Sequence, residues 1–149
     1  MVCTGAGCAA IPQPLKTYAG PELPPHAVAR ISGERSQRSA QPFAHVAGET
    51  VVACIDGVSL ERYWGGYENG GRWPHRLVVA PGRHHLAVVY SLMAGQKAWW
   101  ANVVVHAEAG LDYVIKGDGP EMWVVDSANG GVVAKATTRT AQSGAAPCP

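Results

Sequence analysis

Six histidines and four cysteines carry most of the chemistry open to this 149-residue chain. His84 and His85 are adjacent and lead into a stretch where Leu86, Val88 and Tyr90 alternate with Ala87, Val89 and Ser91. That period of two marks a strand, and neighbouring strand residues point to opposite faces, so the two rings do not chelate one ion together. His84 shares parity with Leu86 and Val88, which predicts a ring that caps the inner face and bonds to a loop carbonyl. The metal- or ligand-binding alternative has His75, beside an aromatic loop, or His106, on a neighbouring strand, join His84 or His85 in space. Cys3 and Cys8 are spaced more widely than the Cys-x(2–4)-Cys of zinc sites, and no second pair accompanies them. No resident metal or cofactor is expected.

The sequence carries no Gly-x-Ser-x-Gly elbow, no phosphate-binding Gly-Lys-Ser/Thr loop and no His-Glu-x-x-His. Ser59, Ser91 and Ser127 stand in no pattern with a histidine. The acids of GDGPE (117–121) sit in a glycine-rich turn that lacks the ligand count of a calcium loop. No catalytic residue is assigned, and the expectation is a protein that is not an enzyme.

Aromatic residues offer a different kind of site. Five Trp and five Tyr stand against a single Phe, and these side chains join an apolar body to a polar tip. The segment WGGYENGGRWPH (64–75) holds four glycines and a proline, so it is expected as a long surface loop. Trp64, Tyr67, Arg72 and Trp73 in it are of types enriched at binding hot spots, and they form the candidate contact surface. Trp99 and Trp100 are adjacent, so one ring is expected in the core and the other on the outer face.

Charge narrows the partners. Twelve Lys and Arg against eleven Asp and Glu give a formal net charge of +1, with no basic stripe for nucleic acid and no polybasic block for an anionic membrane. No apolar run approaches the roughly 18 residues of a membrane-spanning helix.

The elements that must position these residues read as strands. Gly 18 and Pro 11 favour turns over helices. Strand signals fall at 26–32, 49–57 and 58–63. Hairpins follow at 76–80/83–91 around Pro81-Gly82 and at 99–108/111–117. Last come 121–127 and, after the Asn129-Gly130 turn, 132–138. Residues 33–42 are polar and unpatterned, and are expected as a loop; 92–98 is expected as a connection. The prediction is an all-β fold, an antiparallel sandwich of about seven to nine short strands over 26–138. Five prolines between Ile11 and Pro25 give residues 1–25 the character of a leader remnant and extended tether, and 139–149 of a flexible tail.

Two resemblances add a cellular setting. AGCAA (6–10) resembles the end of a bacterial lipobox whose leader is cut short, with Gly5 where that pattern has leucine. It implies a signal peptide, a lipid anchor on Cys8 and a place in the cell envelope, facing the periplasm or the exterior. The mature chain would keep Cys54 and Cys148, which in an oxidising envelope would pair; the alternative is a buried free thiol at Cys54. IDGVSL (55–60) followed by LVVAPGRHHLAVVYS (77–91) is similar to PEGA-type β-sandwich modules of small envelope lipoproteins. The matching residues are Asp56, Gly57, Pro81, Gly82, His84, Leu86 and Val88. This resemblance implies an accessory module without catalysis, whose partner is an envelope protein or a glycan.

Overall fold

The computed structural model describes residues 14–39, 45–60, 76–92, 97–139 and Cys148. Their strands are β1 (Leu15–Lys16), β2 (Ala29–Gly33), β3 (Arg35–Ser39), β4 (His45–Ile55), β5 (Val58–Ser59) and β6 (Arg76–Val79). The second half adds β7 (Gly82–Leu92), β8 (Lys97–Ala107), β9 (Asp112–Asp118), β10 (Glu121–Asp126), β11 (Val132–Lys135) and β12 (Thr137–Arg139). One 3-10 turn at Pro25–Ala27 is the sole helical element among the described residues. The strands form two sheets, one in the order β1-β6-β2-β9-β10-β11 and the other β12-β8-β7-β4-β3, with β5 paired to β4. The fold is an all-β sandwich.

Alternation builds the core. Ile31, Leu77, Val79, Ile115 and Val124 project from the first sheet, and Val52, Leu86, Val88, Val103 and Val105 from the second, into one buried cluster. Each position fits a strand with one face turned inward. The extra strand segments come from short pieces: β1 and β5 are two residues each, while β4, β7 and β8 run for eleven. Most ladders are antiparallel, but β2 pairs β9 in parallel, as β1 does β6. On the β2–β9 ladder Arg30 meets Asp112 at 3.0 Å.

Several local expectations need correction. Arg35–Ser39, expected as a loop, is a strand pairing with β4 from Arg35↔Glu49 to Ser39↔His45. An edge strand is held by backbone bonds along one side and does not require an apolar face. The span 132–138 is not one strand: it breaks at Ala136, where the chain leaves the first sheet and joins the second. Ala136 N–H donates to Met122 O at 2.9 Å at that crossing. The Pro-rich segment reaches the sheet before residue 25, since Leu15–Lys16 pair with Leu77–Val78 and Thr17 N–H donates to Val78 O at 3.0 Å. Extended proline-rich backbone needs little adjustment to serve as an edge strand.

The second sheet is also covered on its outer face. Val51, Ala53 and Val89 are buried there, with Ala98 and Trp100 packed against them. A bulge at Ala53 resets the register so that Val52 and Ile55 both face the core while Cys54, opposite Ala87, faces outward.

Candidate functional site

An aspartate–histidine arrangement lies where β4 turns into β5 beside the start of β7. Asp56 has φ +49° and Gly57 φ +78°, the left-handed pair that an Asp-Gly turn supplies. The turn carries the Asp56 carboxylate over β7. One carboxylate oxygen accepts the His85 backbone N–H at 2.8 Å, and the other lies 2.6 Å from His84 Nδ1. The opposite ring nitrogen, Nε2, lies 2.7 Å from Ala80 O, the loop carbonyl just before Pro81-Gly82. His84 is partly buried, on the inward parity of Leu86 and Val88.

The chemistry of this pair follows from its partners. A carbonyl and an ionised carboxylate both accept, so each ring nitrogen of His84 faces an acceptor, Nε2 the Ala80 carbonyl and Nδ1 the Asp56 carboxylate. Burial acts to raise the Asp56 pKa. The bond to the His84 ring, the His85 N–H and the nearby imidazole charges outweigh it, and the carboxyl is held below its ordinary value of 3.8. An aspartate–histidine pair of this kind orients a general base when the far nitrogen faces substrate. Here the far nitrogen is bonded to backbone. The arrangement clamps the β4–β5 turn to the β6–β7 turn.

The other histidines do not gather round it. His85 is exposed on the opposite face of β7, and His106 lies across from Arg83 on β8. No group of three or more His, Cys, Asp or Glu side chains suited to a metal ion occurs among the described residues. His75 lies outside them.

Cys54 and Cys148 form a disulfide, with Cα atoms 5.4 Å apart across a sequence separation of 94. Trp99 sits against Tyr90, ring centroids 5.8 Å apart and tilted by 44°, while Trp100 packs on the outer apolar cluster. Both rings are therefore half-buried, and neither is an open platform. Cys8 and the candidate contact residues Trp64, Tyr67, Arg72 and Trp73 lie outside the described residues. Among the described residues no helix is long and apolar enough to cross a membrane.

A feature the sequence did not signal is a groove of about 370 Å³ between β8 and β11, bordered by His85, Val104, Val133 and Lys135. It depends on the chain changing sheets at Ala136, which leaves no mark in the alternation. The one available signal was Val132-Val133 on a short strand, exposed at 54% and 49%. No family model, no curated protein and no solved structure matches the chain.

Proposed function

We propose that this protein is a non-catalytic binding or structural module of the bacterial cell envelope, held to the membrane by lipid on Cys8. The observation that carries this reading is the Cys54–Cys148 disulfide. Such bridges persist in oxidising compartments and are rare where thiols are kept reduced. The sandwich fold supports it, as do the backbone-capped His84 and the PEGA-like turn pairs Asp56-Gly57 and Pro81-Gly82, since all describe a scaffold without a reacting centre. The proline-rich stretch between Cys8 and β1 suits a tether between lipid and domain. Segment 64–75 is the proposed contact surface for an envelope protein or glycan.

Intact mass of the protein isolated from its own cells tests the reading. The expected species begins at a diacylated Cys8, fractionates with membranes and is lighter by two hydrogens than the dithiol form. A soluble protein that retains Met1 and four free thiols overturns it. Trp73→Ala is expected to weaken capture of the co-purifying partner while the melting transition stays cooperative; unchanged capture removes that surface.

A further inference from the structure

The groove between the sheets has a backbone feature that defines what it can hold. His85 turns its C=O toward Asp56 N–H (2.8 Å) and its N–H toward the Asp56 carboxylate (2.8 Å), both on the β4 side. His85 and Val104 are directly opposite on β7 and β8. In an antiparallel ladder, a pair whose first member faces away is a non-hydrogen-bonded pair, so Val104 also turns its N–H and C=O away from β7. They face the groove.

Both ends of that stretch are closed. On one side β12 pairs with β8 only over Trp100–Asn102. On the other, the Tyr113 hydroxyl reaches across from β9, accepting the Glu108 N–H at 3.0 Å and donating to His106 O at 3.4 Å. Among the described residues, the open edge between the two stops is Val104 together with the His106 N–H. Facing it, β11 carries a bulge at Val133, because Val124 pairs with Ala134 and Val125 with Val132. A bulge blunts an edge against strand addition.

The lining supplies the remaining chemistry. Leu86 and Val103 are buried beneath the groove, and half-exposed Val133 forms its apolar wall. The titratable lining groups are His85 and Lys135, with Asn102 and Thr137 as neutral polar neighbours; no acid among the described residues lines it, and the Asp56 carboxylate holds the His85 N–H from the β4 side. Glu121 borders a separate depression on which Lys135 also lies.

We propose that this groove binds the C-terminal end of an extended peptide whose last side chain is apolar. Each observation requires one feature of that ligand. The outward N–H and C=O of Val104 call for an extended backbone. The half-exposed wall of Val133 calls for an apolar side chain. Lys135 calls for a carboxylate, His85 being already faced by the Asp56 carboxylate. A strand running through would meet β12 or Tyr113, whereas a chain end fits between them. A second copy of this chain, paired edge to edge, finds only Val104 and the His106 N–H open on β8 and a bulge on β11. The proposal rests on the binding role above and names the partner's chemistry.

NMR titration of the oxidised full chain tests it, with N-acetyl-Thr-Thr-Val as the free acid, the same peptide as its C-terminal amide, and hexanoate as probes. The free acid is expected to shift the amide signals of Val104 and Lys135 saturably, with the amide about tenfold weaker or worse, as for loss of a charged hydrogen bond. Lys135→Glu is expected to weaken the free acid by a similar factor at an unchanged melting temperature. Silence at Val104 throughout the titration overturns the proposal, as does equal binding of the amide. Hexanoate binding as tightly as the peptide also overturns it, because the backbone would then contribute nothing. A titration series in which the protein doubles in mass assigns the groove to self-association instead. The lipid on Cys8 is read by mass and is untouched by any of these outcomes, so the two readings fail separately.

Discussion

Asp56 does its work by standing in a conformation that most residues avoid. At φ +49° its side chain reaches two donors at once, the His84 ring and the His85 N–H. Burial opposes its charge, and those donors with the adjacent imidazoles more than offset the opposition, leaving the pKa below 3.8. A carboxylate with a depressed folded pKa stabilises the fold above its unfolded value, and that stability is lost as pH falls through the folded value. Its side chain is 46% exposed, so solvent screening limits the contribution to on the order of 1 kcal/mol or less. Asp56→Asn keeps a residue that tolerates the left-handed backbone, removes the charge and turns one of the two accepting oxygens into an NH2 donor. The variant is expected to melt below wild type at pH 5–6, with the gap closing as pH is lowered through and below 3.8. Melts across that range decide it, and a gap that ignores pH would assign the effect to the exchanged hydrogen-bond acceptor instead of the charge.

At the scale of elements, the sandwich is fastened where β2 crosses into β3. Glu34 stands at the corner: its N–H reaches Ile115 O (2.9 Å) and Thr50 Oγ1 (2.7 Å), and its C=O accepts Thr50 N–H (3.0 Å). Thr50, 1% exposed on β4, also donates its hydroxyl to Ile115 O on β9 at 2.7 Å, joining the two sheets through one side chain. The sheets approach so closely there that a Cβ on Gly33 would lie 1.8 Å from Thr50 O, and one on Gly117 2.6 Å from Tyr90 Cδ2. Thr50→Val keeps the shape and leaves Ile115 O without its hydroxyl donor, at a cost of about 1–3 kcal/mol. Gly33→Ala meets backbone, which cannot swing aside, and is expected to cost about 3 kcal/mol or more. Gly117→Ala meets a ring and a methyl, and should cost less. Denaturant unfolding ranks the three, and a Gly33→Ala variant as stable as wild type would refute the close approach.

What the sequence disclosed follows from which forces are local. Alternation along 86–91 and the Asp56-Gly57 and Asn129-Gly130 turns are set by neighbours in the chain, and the structure keeps each of them. Gly130 has φ +72°, and its N–H closes on Asp126 O at 2.8 Å. The placing of His84 against a loop carbonyl was legible for the same reason. Strand partnership is not local. Nothing in Arg30 or Asp112 announces a parallel ladder, nothing in Ala136 announces a change of sheet, and polar Arg35–Ser39 becomes a strand because β4 offers it an edge. The groove at Val104 was illegible for that reason, since it exists only through what β11 and β12 do on either side.

For the molecule as a whole, the longest-range constraint is covalent. The Cys54–Cys148 bridge joins the outward face of β4 to the far end of the chain across 94 positions. Closing a loop of that size in the unfolded chain corresponds to about 4–5 kcal/mol in the chain-entropy model, an upper figure that native strain reduces. That is a large share of the roughly 5–15 kcal/mol that holds a domain together. Cys54 is buried, so replacing it would confound the loss of the bridge with a packing defect; Cys148, less buried, is the cleaner position. Cys148→Ser is expected to lower the melting temperature by on the order of 10 °C. A thiol reductant should bring the wild-type protein to the same value and leave the variant unmoved. Equal melting temperatures for oxidised wild type, reduced wild type and Cys148→Ser would mean that the bridge contributes nothing to the fold, leaving the buried faces of the second sheet to hold it unaided.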